Sequence, residues 1–88
     1  FGGVEFALLL PQTNLEQARF ALERVRKAIT EKPFRLNGVD VAVTVSIGIA
    51  CASAGSDFIF DDLVIRADKV LYHAKEIGRN RITVETDL

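Results

Sequence analysis

From Val41 to Ile49 the chain reads VAVTVSIGI, with bulky apolar residues alternating with smaller ones without a break. A period of two is the signature of a strand, whose successive side chains leave opposite faces. Val41, Val43, Val45, Ile47 and Ile49 share one face, and Ala42, Thr44, Ser46, Gly48 and Ala50 the other. The first face needs an apolar layer. The second has so little bulk that another element can approach its backbone closely.

The flanking segments supply candidates for both layers. Glu5 to Leu10 reads EFALLL, an apolar run closed by Pro11 that suits a strand buried on both faces. Thr13 and Glu16 have capping-box spacing, and Leu15, Ala18, Leu22, Val25 and Ile29 recur at helical spacing, predicting a helix from about Leu15 to Thr30. Pro33 ends it, Phe34 to Leu36 reads as a short strand, and Asn37-Gly38 is a two-residue hairpin signal. After a Ser/Gly/Asp loop, Leu63, Ala67, Val70, Leu71, Ala74 and Ile77 mark a second amphipathic helix. Asp61 and Asp62 suit its positive start, Gly78 its C-cap, and Ile82 to Val84 forms a closing strand.

The predicted order is βαββαβ, an α+β sandwich in the ferredoxin-like style, with no internal repeat. Its 88 residues, 49% of them hydrophobic, suffice for one core. Two helices are expected to cover one face of the sheet, whereas EFALLL is apolar on both. A partner or a missing N-terminal segment is therefore expected to supply another layer. A first residue other than Met, inside a turn motif, suggests the same: residues 1–88 as one partial domain lacking its N-terminal part.

A net charge of −1 provides no global basic field, so nucleic acid is not an expected partner and any phosphate site must be built locally. The single Cys51 excludes an internal disulfide and fits a reducing cytoplasm. No apolar run approaches a bilayer span, so no membrane contact is expected from this segment.

Two stretches can carry chemistry. In FGGVEF, Gly2 and Gly3 either make a tight corner or let a phosphate approach the backbone, where a following acid would hold a hard cation. In YHAKEIGRNR, Lys75 lies in the last helical turn and Arg79 one residue past Gly78. Those cations either offset the helix dipole or clamp a polyphosphate. His73 reads as a surface residue and Cys51 as a small buried thiol.

Three segments together resemble the GGDEF domains, the diguanylate cyclases. FGGVEFALLLP is similar to their signature turn and following strand, VTVSIGIA to their central strand, and ADKVLYHAKEIGRNRI to their last helix and its exit. The resemblance implies a nucleotide-cyclase-like fold and the Mg²⁺-dependent joining of two GTP molecules, one on each subunit of a homodimer, into cyclic di-GMP with release of pyrophosphate. It assigns Gly2 and Gly3 to the phosphates, and Lys75 and Arg79 to the terminal phosphates of GTP. Val4 stands where the family places an Asp or Glu that binds metal and serves catalysis. A valine does neither, and losing that ligand is expected to cost on the order of a thousandfold in rate. Glu5, the motif's fourth residue, is the remaining candidate catalytic carboxylate. The chain is thus expected to be the C-terminal half of such a domain, without the family's guanine-recognition residues and inactive as it stands. The alternative is a non-catalytic domain that binds GTP or a partner and regulates a neighbouring module. Element order alone also permits a regulatory module like the amino-acid-binding ACT domains.

Overall fold

A computed structural model of the chain describes residues 10, 12–53, 57 and 59–88. Along them run α1 (Leu15–Glu31), β1 (Phe34–Leu36), β2 (Val39–Val41), β3 (Ile47–Ile49), α2 (Phe60–Glu76) and β4 (Ile82–Val84), followed by a 3-10 turn over Glu85–Asp87. The strand expected over EFALLL lies outside the described residues except for Leu10, which is exposed.

α1 starts on a reciprocal cap. The Gln17 amide donates to the Asn14 side chain at 2.8 Å, and the Asn14 amide donates to the Gln17 side chain at 3.0 Å. The capping box thus sits one residue beyond the expected Thr13 and Glu16, because Asn and Gln meet the same need for acceptors at N-cap and N3. α2 carries Asp61 and Asp62 in its first turn, as its dipole favours.

The long alternating segment does not form one strand. β2 turns back at Asn37 (φ 52) and Gly38 (φ 79) and pairs antiparallel with β1, with Phe34 opposite Val41 and Leu36 opposite Val39. β3 joins a different sheet, parallel to β4, with Ile47 opposite Ile82, Gly48 opposite Thr83 and Ile49 opposite Val84. Residues 42–46 bridge the two sheets outside any strand. Alternation records which way side chains point, whereas a strand also needs a hydrogen-bonded neighbour. Residues 42–46 have none among the described strands.

The β3–β4 pair is the structural centre, and the helices flank it on opposite faces. On one face Ile49 and Val84 are buried with Ala18 of α1, and Leu15, Leu22, Ile47, Cys51 and Ile82 pack around them. On the other, Thr83 Oγ1 donates to the Val70 carbonyl of α2 at 2.6 Å. A Cβ added to Gly48 would fall against the Leu71 amide nitrogen of α2 and 2.6 Å from the Ala67 carbonyl oxygen. Val70 and Ala74 are fully buried there. The small face of the central segment therefore does receive a close backbone approach, and the element that approaches is α2. The expectation that both helices cover one face is corrected: the period of two gives each helix its own face, large residues toward α1 and small ones toward α2.

Candidate functional site

The candidate residues at the end of α2 are set by how that helix stops. Ile77 is the C-cap, with its amide donating to the His73 carbonyl at 3.0 Å, and the Arg79 amide donates back to the Ala74 carbonyl at 2.8 Å. The second bond is the long closing link of a Schellman turn, which requires a left-handed residue between them. Gly78 supplies it at φ 134. Arg79 (φ 63) and Asn80 (φ 48) also lie in the left-handed region. For Arg79 that conformation costs about 1–2 kcal/mol, a strain that persists only where neighbours over-determine it.

The neighbours are identifiable. The Asn80 amide donates to Ser46 Oγ at 3.1 Å, and the Ile47 amide donates to the Arg81 carbonyl at 2.9 Å, which ties the turn to the start of β3. Arg81 Nε donates to the Arg79 carbonyl at 3.0 Å. From α1, Arg26 Nη1 donates to Asn80 Oδ1 at 2.7 Å and more weakly to its carbonyl at 3.4 Å. Arg26 is itself held by Glu23, whose carboxylate accepts from Nε at 3.0 Å and Nη2 at 2.5 Å. The contact pulls the Glu23 carboxyl below, and the Arg26 guanidinium above, their ordinary values.

Lys75 is half-buried in the last turn of α2, and Arg79 is exposed on the pinned turn just beyond it. Both predicted cations thus stand at one helix end, where carbonyl dipoles favour positive charge. Neither lines the nearby open concavity of about 330 Å³ between α1 and the turn, which is lined by Arg19, Glu23, Arg26, Asn80, Arg81 and Ile82. Gly2, Gly3, Val4 and Glu5 lie outside the described residues. His73 is half-buried in the helix rather than on the open surface.

Sequence reading missed the tethers because they connect distant segments: Arg26 and Asn80 are 54 positions apart, and Ser46 and Asn80 are 34. The one local signal was Asn80 itself, since Asn after a helix-ending Gly readily takes the left-handed conformation. Another missed pair joins α2 to the segment after β4. Arg66 donates to both carboxylate oxygens of Glu85, at 3.0 and 2.6 Å, and to the Cys51 carbonyl at 2.9 Å.

Mg²⁺ requires several hard oxygen ligands. Among the described residues no group of three or more His, Cys, Asp and Glu side chains gathers to hold a metal, and Val4 offers a hydrocarbon. These residues do not fit the ion by themselves, and no metal-dependent step is assigned to them. Among the described residues no helix is long and apolar enough to cross a membrane.

The family model "Diguanylate cyclase, GGDEF domain" matches residues 1–81. Diguanylate cyclase DgcP of Pseudomonas aeruginosa is 43% identical over 86 residues, covering 96% of this chain and 12% of that protein. Diguanylate cyclase A of Treponema denticola is 39% identical over 89 residues, covering 96% of this chain and 22% of that protein. The uncharacterized protein YhcK of Bacillus subtilis is 43% identical over 82 residues, covering 92% and 23%. The chain therefore spans between 12% and 23% of the length of these relatives. With the family model matched across both the signature motif and the pinned exit of α2, this chain belongs to the GGDEF domain family.

Proposed function

We propose that residues 1–88 are the C-terminal half of a GGDEF domain that keeps a grip on the terminal phosphates of GTP and does not by itself form cyclic di-GMP. Lys75 and Arg79 are the clamp, Lys75 as a point charge and Arg79 as a planar fork, with Gly2 and Gly3 lying against the phosphates. The observation that carries the reading is the turn itself. Arg79 is held in a left-handed conformation by the bond from its amide to the Ala74 carbonyl of α2 while Asn80 is held by α1 and the lead-in to β3, the kind of preorganisation a ligand-gripping residue benefits from.

Val4 carries the second part. The signature turn retains Glu5 as a carboxylate but has a hydrocarbon at its centre, where the family's cation ligand and catalytic acid would stand. Incubation of the purified chain with GTP and Mg²⁺ is expected to yield no cyclic di-GMP; product above a protein-free blank overturns this. Inorganic tripolyphosphate is expected to bind, with Lys75→Ala and Arg79→Ala each weakening it about tenfold. Unchanged affinity in the double variant refutes the clamp.

Val4 also favours the regulatory reading, in which the domain binds GTP or a partner, including a second GGDEF subunit, and controls a neighbouring module. Comparison of the full-length protein with its Val4→Asp variant decides it. A wild type that is already as active a cyclase as the variant removes the regulatory reading.

A further inference from the structure

Arg26 is the described side chain that reaches from α1 to the exit turn of α2, and its environment is unusual for a surface-helix arginine. Its side chain is 16% exposed. Glu23 occupies Nε and Nη2, which orients the guanidinium plane and leaves Nη1 directed at Asn80 Oδ1, 2.7 Å away. With its charge offset by Glu23 and its free edge taken by Asn80, Arg26 is poorly placed to serve as a ligand for an anion. It is well placed to hold one residue of a strained turn.

We propose that Arg26 is a positioning residue for the phosphate clamp, fixing through Asn80 the left-handed turn from which Arg79 projects. The proposal rests on the clamp reading above. Asn80 is the last of three consecutive left-handed residues, and two bonds from outside the turn converge on it: its amide is held by Ser46 and its side chain by Arg26. Releasing the side chain leaves the Ser46 bond and the Arg79 amide bond to Ala74 to resist relaxation of a backbone that non-glycine residues disfavour. The guanidinium of Arg79 then samples more directions, and a polyphosphate has to bear the cost of ordering it. A lysine at 26 does not substitute, because only a planar fork bonds Glu23 on one edge and Asn80 on another.

Tripolyphosphate affinity, measured by calorimetry on the whole chain, tests this with Arg79→Ala as the reference. Arg26→Gln and Asn80→Ala are each expected to weaken binding about tenfold, and the double variant no more than either alone, because both remove the same tie. Asn80→Asp keeps an acceptor for Arg26 and tolerates the left-handed backbone, so at high salt, where its added charge is screened from the polyphosphate, it is expected to stay within about twofold of wild type measured in the same salt. That rescue distinguishes positioning from a general loss of structure. Should Arg26→Gln fail to fold, the Asn80→Ala and Asn80→Asp pair decides alone. If Arg79→Ala weakens binding while Asn80→Ala leaves it unchanged, or Asn80→Asp falls as far as Asn80→Ala, positioning is overturned and the clamp stands. If Arg79→Ala binds as wild type does, the clamp fails and the positioning role fails with it.

Discussion

Replacing Gly48 with alanine probes the packing on which the site is built. A Cβ at this position would lie against the Leu71 amide nitrogen, 2.6 Å from the Ala67 carbonyl oxygen and 2.8 Å from the Leu71 Cα. All three are backbone atoms of α2, so no side-chain rotation relieves the clash. The helix has to retreat by most of an ångström, which loosens Val70 and Ala74 and stretches the 2.6 Å bond from Thr83 Oγ1 to the Val70 carbonyl. Overpacking costs about 1–3 kcal/mol, and a clash with helix backbone belongs at the upper end. Reduced freedom in the unfolded chain offsets about 0.4–1 kcal/mol, leaving a net loss of about 2 kcal/mol. For a chain of this size that is a fall in Tm of roughly 8–16 °C, read from circular dichroism melts. Gly38→Ala is the control: its added Cβ meets nothing within 4 Å, but φ is +79, so only backbone strain of about 1 kcal/mol acts and the fall is about half as large. A Gly48→Ala melt within about 2 °C of wild type, or a smaller fall than Gly38→Ala, refutes the close approach of β3 to α2.

Two further outcomes follow from charge and burial. Hydrogen bonds from Arg66 hold the Glu85 carboxyl below its ordinary 4.5, so its contribution to stability is complete above that value and is lost as pH falls through the depressed one. Urea midpoints are therefore expected to decline less steeply for Glu85→Gln than for wild type between about pH 5 and 3, and equal slopes would contradict the pairing. With side chains 42% and 36% exposed, the pair is screened by water and the two proteins are expected to differ little at neutral pH. Burial, then the nearby Glu85 charge, raises the Cys51 thiol above its ordinary value. Its alkylation by a maleimide at neutral pH is expected to be slower than that of free cysteine, and an equal or faster rate would contradict the partial burial.

Much of the chain was legible because local rules and tertiary demands agree. α1 and α2 followed from their apolar periodicity, and the hairpin from Asn37-Gly38, a dipeptide that takes two left-handed residues at little cost. The glycine and serine of the central segment announced a close approach, which Gly48 provides against α2 and Ser46 converts into a bond to Asn80. What stayed hidden was partnership. The alternation over residues 41–49 is the same whether one strand or two are made, and only the pairing of β2 with β1 and of β3 with β4 divides it. The helix end that carries Lys75 and Arg79 was marked in the sequence by Gly78, but the bonds that hold the turn over residues 78–80 come from Ser46, Arg26 and Ala74, and no periodicity links those residues. Layer assignment was misread for a related reason: both helices have apolar stripes, and only the large-against-small division of β3 and β4 shows which face each one takes.

The parallel pairing of β3 with β4 also orders events during synthesis. The β1–β2 hairpin can close once Val41 has left the ribosome, whereas the described partner of β3 is complete only when Val84 has followed. At elongation rates of about 5–20 residues per second the interval from Ile49 to Val84 lasts roughly 2–7 s, long compared with helix formation in α2. Throughout that interval the β4-facing edge of β3 is an unpaired apolar edge on a nascent chain, a template for adhesion to other chains. The bond from the Ile47 amide to the Arg81 carbonyl closes the turn and registers the strand pair in one step. A translational pause before residue 82 therefore prolongs the hazard, and a silent substitution there that slows elongation has a route to lower yield while leaving the folded protein unchanged.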